Sequence, residues 1–293
     1  VTDDFFPNTS ASKAATVGER ITRSIELECT AVKAGNVHPH ASFHDLSHKH
    51  FIDAAQAIGQ GIDKHVDASV GRMVLESAQR MMDRVNTNTS LGTILLIAPM
   101  AHAWIRMSPP ASSDSHWQAS LGETLLELDL EDSENIYKAI RLAKPGGLGD
   151  STSMDIRMEP PKSILEAMRF ASKWDDVALQ YVTNFALVFE YAARLKAKHF
   201  EGLHWLNAIR SLQIEVLSER VDSLIARKQG LAIAESVRQQ ARVVRDSGAY
   251  GNDRFEAEWK KFDDNLRSQT NRNNPGTIAD LLAAAVFVCF SAE

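Results

Sequence analysis

Apolar residues recur at spacings of three and four along almost the whole chain, and that rhythm excludes most folds before any other feature is weighed. Ala14, Val17, Ile21, Ile25 and Val32 form one stripe, and Val70, Val74, Ala78, Met81 and Val85 form another, as expected of side chains that share one face of an α-helix. The alternation of a half-buried strand is nearly absent. Further helices are predicted over residues 51–62, 91–105, 117–128, 133–143, 163–172, 175–198, 201–228, 232–246, 253–268 and 278–290. Loops are predicted at 107–115, around Pro109 and Pro110, and at 144–162, which holds Pro145-Gly146-Gly147 and Pro160-Pro161. No repeat or composition shift marks a boundary. Residues 1–293 are therefore expected to form one all-α domain of ten or more helices around a buried central helix, for which the apolar 93–99 segment is the candidate.

With 293 residues, 44% of them hydrophobic, the chain can bury a full core. A net charge of -6, a pI near 5.9 and the lack of a Lys/Arg block argue against duplex nucleic acid or an anionic membrane as partner. The longest apolar stretches, 94–105 and 281–290, fall short of the roughly 20 residues of a membrane span, and no secretory signal is read at the start. Cys29 and Cys289 alone make neither a disulfide framework nor a Cys-based zinc site, so a soluble protein of the reducing cytoplasm is expected.

Several places break the helical pattern. Glu28 falls on an apolar stripe, three after Ile25, where a carboxylate needs a partner, a metal or a catalytic task; otherwise it bends outward at the helix end. Lys33-Ala34-Gly35-Asn36 follows, with Gly35 suited to a left-handed helix stop and Lys33 read as an exposed last-turn cation, free to meet a phosphate. Residues 38–50 hold His38, His40, His44, His48 and His50. The i, i+4, i+8 spacing of His40, His44 and His48 and the His44-Asp45 doublet fit zinc or a metal-dependent phosphohydrolase, but Pro39 and Ser42 oppose a helix there and no histidine precedes His38. A polar substrate loop is the preferred reading.

Asn86-Thr87-Asn88-Thr89-Ser90-Leu91-Gly92 opens the apolar 93–99 helix, either as an N-cap by Asn88 or Thr89 or as an anion site on the helix dipole. Asn274-Pro275-Gly276-Thr277 opens the last helix; Thr277 and Asp280 suit a capping box, leaving Asn274 and Gly276 to face a ligand. Periodicity places Glu76 on a polar face beside Arg72 and Arg80, as a surface ion pair. Neither a Walker A loop, a dinucleotide fingerprint nor a nucleophilic triad occurs.

In combination and in order, Glu28-x4-Lys33-x-Gly35-Asn36-Val37-His38, His44-Asp45, Glu76, Asn86-Thr87-Asn88-x3-Gly92 and Asn274-Pro275-Gly276-x3-Asp280-Leu281-Leu282 resemble the triphosphoribosyl-dephospho-CoA synthase family over roughly residues 21–290. Residues 139–149, Ala-Ile-Arg-Leu-Ala-Lys-Pro-Gly-Gly-Leu-Gly, resemble one archaeal-like branch of it. The resemblance implies an all-helical pentosyltransferase that moves triphosphoribosyl from ATP to the ribose 2′-hydroxyl of dephospho-CoA, with adenine released and Mg²⁺ as cofactor. It implies Glu28, Asp45 and Glu76 as catalytic or Mg²⁺-binding, and Lys33, Gly35, Asn36, His38, His44, Asn86, Asn88, Thr89, Asn274, Gly276 and Asp280 as substrate-binding. Typical members have Pro-Lys-Pro-Gly where this chain has Val32-Lys33-Ala34-Gly35, and Asn-Thr-His-Lys-Gly where it has Asn88-Thr89-Ser90-Leu91-Gly92. Phosphoribosyl transfer in the synthesis of methanopterin-type cofactors is the alternative, followed by phosphohydrolysis through the His-rich segment and by a binding scaffold without chemistry. Partners expected are a nucleotide or phosphoribosyl donor and a small-molecule acceptor, with homodimer formation left open.

Overall fold

The computed structural model describes residues 15–107, 113–147, 153–268 and 272–291. Pro109, Pro110, Leu148 and Gly149, read above as loop or motif positions, lie outside these. Fourteen helices make up the described residues: α1 Val17–Thr30, α2 His48–Asp63, α3 Val70–Val85, α4 Leu91–Arg106, α5 Asp114–Glu127, α6 Leu130–Ala143 and α7 Ile164–Ala171, then α8 Asp176–Val182, α9 Ala186–Phe200, α10 Trp205–Glu219, α11 Ser223–Gln229, α12 Leu231–Asp246, α13 Asp253–Arg267 and α14 Gly276–Ser291. The extended pairing among them is an isolated bridge between His38 and Ala41. The all-α expectation holds.

Two predicted helices are each broken in two. Residues 175–198 divide into α8 and α9 because Asn184 and Phe185 adopt left-handed backbone, at φ 52° and 58°. Residues 201–228 divide into α10 and α11 because the Asp222 side chain accepts the Leu224 and Ile225 amides and starts a new helix. Apolar periodicity runs through both breaks, since short helices can bury the same stripe on either side of a turn.

The helix at the centre is α14 rather than α4. Every residue from Leu281 to Ser291 is buried, and α14 packs on α1, α4, α8, α9, α10 and α11. An apolar helix without a polar face must be surrounded, and this one is. Helices on both sides of the 144–162 loop thus share one hydrophobic core. Helix α4 is nearly as deeply buried, from Leu91 through Ala103 with Gly92 and His102 excepted.

At one crossing the backbones meet without side chains between them. A Cβ on Gly18 of α1 would lie 2.2 Å from the Gly59 carbonyl oxygen, and one on Gly59 of α2 would lie 2.3 Å from that of Gly18. The Gly18 amide meanwhile donates to Asp63 Oδ1 at 2.8 Å. Because neither backbone atom can yield as a side chain tip would, Gly59→Ala should destabilise the protein by about 1–3 kcal/mol in urea unfolding, despite alanine's better helix propensity.

Candidate active site

Helix ends from distant parts of the chain surround a cavity of about 610 Å³. Glu28 lines it from the last turn of α1, Asn88, Thr89 and Gly92 from the start of α4, and Asn274, Gly276 and Asp280 from the start of α14. Lys33 and Asn36 line it from the turn after α1, and Asp45 from the loop before α2. Apolar side chains also line it, among them Ile140 of α6, Ile156, Ile164, Met168 and Phe170 of α7, and Trp174. Phe170 and Trp174 meet edge to face at 5.1 Å. Five of the sequence candidates lie elsewhere: Gly35, His38, His44, Glu76 and Asn86 are not on the lining.

The turn after α1 is held on all sides. The helix stops at Thr30, with Ala31 as an extended cap, so Gly35 is not its stop. Gly35 is left-handed at φ 72° and packs against Leu266 and Pro275, where a Cβ would come within 2.7 and 3.0 Å of side-chain atoms. Its amide donates to Asp263 Oδ1 at 2.7 Å. Gln213 of α10 accepts the Ala34 amide at 2.8 Å and donates to the Ala34 carbonyl and to Asn36 Oδ1, both at 2.9 Å. Asn36 in turn donates to Asn274 Oδ1, joining this turn to the start of α14.

Lys33 is not the exposed cation that its sequence position suggests. It is 1% exposed, pairs with Glu28 Oε1 at 3.0 Å, and donates to the carbonyls of Glu28 and Ala31. Its ammonium closes the end of α1 from beyond the last turn, and its three protons have acceptors, which leaves it no proton for a phosphate. Glu28 faces inward, as its stripe position required. Burial raises its pKa, and Lys33 opposes that rise. No described residue donates to its other oxygen.

Asp280 does not complete a capping box with Thr277. It reaches across to α4, where its Oδ1 accepts the Thr93 amide at 2.9 Å and the Thr93 hydroxyl at 2.6 Å. The anion expected at the start of α4 is thus a carboxylate of the protein itself. Gly92 makes room for it, since a Cβ there would lie 2.2 Å from Asp280 Oδ2. Burial and the nearby Glu28 and Asp222 charges push its pKa up to about 7, against the Thr93 hydrogen bonds. Asn88 does serve α4, accepting the Leu91 amide at 3.1 Å.

The histidine segment holds itself rather than a metal. His38 is buried, its pKa lowered to about 4 by burial and by Arg267. His48 bonds to the Thr30 hydroxyl at 3.1 Å, and His50 accepts the Ser47 amide at 3.0 Å in the first turn of α2. His40 and His44 are exposed. Among the described residues no three His, Cys, Asp or Glu side chains gather to hold a metal between them, so neither the zinc grouping of His40, His44 and His48 nor a triad of Glu28, Asp45 and Glu76 forms. Glu76 pairs with Arg72 at 2.6 Å, as periodicity predicts, and lies 3.9 Å from His65, which periodicity does not. Asn86 is the left-handed cap of α3, its amide bonded to the Met82 carbonyl. Sequence reasoning missed Lys144, Arg227 and Lys228, which also line the cavity.

A family model described as CitG, ATP:dephospho-CoA triphosphoribosyl transferase, matches residues 14–292. The fold is similar to the crystal structure of a candidate triphosphoribosyl-dephospho-CoA synthase from Archaeoglobus fulgidus, at a TM-score of 0.63 and 23% identity over 82% of this chain and 97% of that one. No curated protein matches the chain.

Two outcomes follow from this geometry. Lys33→Met strands a buried carboxylate, so it should cost about 3–5 kcal/mol in chemical denaturation, far above the effect of an exposed helix-end lysine, and adding Glu28→Gln should recover much of the loss. Asp280 binds its proton more tightly folded than unfolded, so its contribution to stability is complete at acid pH and is lost as pH rises through about 7. In metal-free buffer the melting temperature should fall across that range, and Asp280→Asn, which keeps an oxygen for Thr93, should flatten the fall.

Proposed function

Because the chain belongs to the CitG family of ATP:dephospho-CoA triphosphoribosyl transferases, we propose that this cavity transfers a triphosphoribosyl group from ATP to the ribose 2′-hydroxyl of dephospho-CoA. The observation that carries the reading is the placement of Asp280: it lines the cavity, is oriented through Thr93, and has a pKa lifted to about 7. A carboxylate so tuned suits a general base near neutral pH. In the step proposed, the acceptor oxygen forms a bond to the anomeric carbon as the bond from that carbon to adenine N9 breaks. The hydroxyl proton passes to Asp280, and adenine leaves with the bonding pair and takes up a proton.

Mg²⁺ fits the residues present. The free oxygen of Glu28 faces the cavity, and burial that raises its pKa makes a cation there favourable. Mg²⁺ takes one or two carboxylates together with phosphate oxygens and water, so it needs no protein cage. Bound there it would neutralise phosphate charge. Asn88 and Asn274 supply neutral polar groups for sugar hydroxyls, and the apolar wall of α6 and α7 suits a planar base. No described helix is long and apolar enough to cross a membrane.

The test is to incubate the protein with ATP, dephospho-CoA and Mg²⁺ and to follow free adenine and product mass. Stoichiometric adenine with a triphosphoribosylated acceptor is expected, and Asp280→Asn should lower kcat by about 10²–10⁴. Product from phosphoribosyl pyrophosphate but none from ATP would overturn the donor assignment. Phosphate release without adenine would overturn the transferase.

A further inference from the structure

A polyphosphate entering this cavity meets few charges free to hold it. The Leu91 and Thr93 amides at the start of α4 already donate to Asn88 and Asp280, and the Gly276 and Ile278 amides of α14 donate to the Asn274 carbonyl and to Asp222. Glu28 and Asp280 make the interior acidic. Of the four lining cations, Lys33 is fully engaged, and Arg227 pairs with Asp175 Oδ2 at 3.2 Å while donating to the Ser223 carbonyl. Lys144 and Lys228 remain, and neither has an ion pair or side-chain hydrogen bond among the described residues.

These two lysines reach the cavity from helices 84 positions apart in sequence (228 minus 144). Lys144 ends α6 in a left-handed conformation, at φ 45°, and so turns the chain into Pro145-Gly146-Gly147. The Lys228 side chain, from the last turn of α11, lies along that turn. A Cβ on Gly146 would sit 3.1 Å from Lys228 Cε and 3.6 Å from its Nζ, and one on Gly147 would sit 3.1 Å from Lys228 Cγ. The glycines thus admit the lysine stem, and the ammonium arrives beside the turn that Lys144 begins. The carboxylates of Asp222 and Asp45 act on Lys228, whose pKa burial and Arg227 lower.

We infer that Lys144, which begins the Pro145–Gly147 turn, and Lys228, whose side chain lies along it, form the subsite for the polyphosphate of the substrate. This rests on the transferase reading for its ligand, but its test is separable from it. Inorganic tripolyphosphate is the probe, titrated calorimetrically into the full chain at low salt. Wild type should bind it. Lys144→Gln and Lys228→Gln should each weaken binding by about tenfold or more, as loss of a charge-assisted contact predicts, with unchanged melting temperatures. Gly146→Val, which displaces the Lys228 stem, should act like Lys228→Gln, and Lys260→Gln on α13 should have no effect. The same lysine variants should raise KM for ATP by a similar factor. Unaltered tripolyphosphate affinity in both lysine variants, or a wild type that turns over ATP without binding tripolyphosphate, would overturn the subsite and leave the transferase standing. Binding that depends on both lysines in a protein that releases no adenine would uphold the subsite and overturn the transferase.

Discussion

One carboxylate, that of Asp222, starts two helices at once. Its Oδ1 accepts the Leu224 and Ile225 amides of α11 at 2.9 and 3.0 Å, and its Oδ2 accepts the Ile278 amide of α14 at 2.8 Å. The neighbouring Ser223 hydroxyl donates to the Thr277 hydroxyl and accepts the Asp176 amide, both at 3.1 Å, which brings the start of α8 to the same point. Buried, Asp222 has its pKa pushed up to about 6, and the Ile278 and Ile225 amides hold it below what burial alone would impose. The cavity hangs from this junction. Helix α11 carries Arg227 and Lys228, α14 carries Asp280, and the cap of α8 is Asp175, the partner of Arg227. Registering these three helices at one buried junction fixes Asp175, Arg227, Lys228 and Asp280 relative to one another.

The helices were legible because burying one face of a helix forces a period near 3.6, and nearly every helix here has such a face. The breaks at Asn184-Phe185 and at Asp222 were not, since a break between two short amphipathic helices leaves the apolar rhythm intact. Which helix lies at the centre was also hidden, because α4 and α14 are both apolar and only packing ranks them. Glu28 was legible as a polar residue on an apolar stripe. Its partner was not: Lys33 lies past the helix end, at a spacing that no helical rule pairs, and reads as an ordinary terminal cation.

Contacts between segments far apart account for the rest. Asp280 and Thr93 are 187 residues apart, so the local capping box at Thr277 was the natural expectation and tertiary packing displaced it. Lys144 and Lys228 each look like the solvated last-turn cation that helices commonly carry, and nothing local marks them as neighbours. Glu76 shows the reverse, since its local i, i+4 pairing with Arg72 was readable from the sequence and the resemblance added a role that the cavity does not include.

On the proposed transferase reading, Lys144 and Lys228 would take the donor's phosphates and leave its sugar to Glu28 and Asp280, because a polyphosphate beside two carboxylates without a cation is repelled. Positive charge develops on the sugar as the base departs, and it then develops next to carboxylates already held in place by Lys33 and Thr93. Groups fixed before the reaction need no reorganisation during it, so they stabilise that charge more than mobile water does. Thr93 and Lys33 therefore do more than stabilise helix ends: each holds one carboxylate by one oxygen and leaves the other turned toward the cavity, where a proton, a cation or an oxocarbenium-like sugar can meet it.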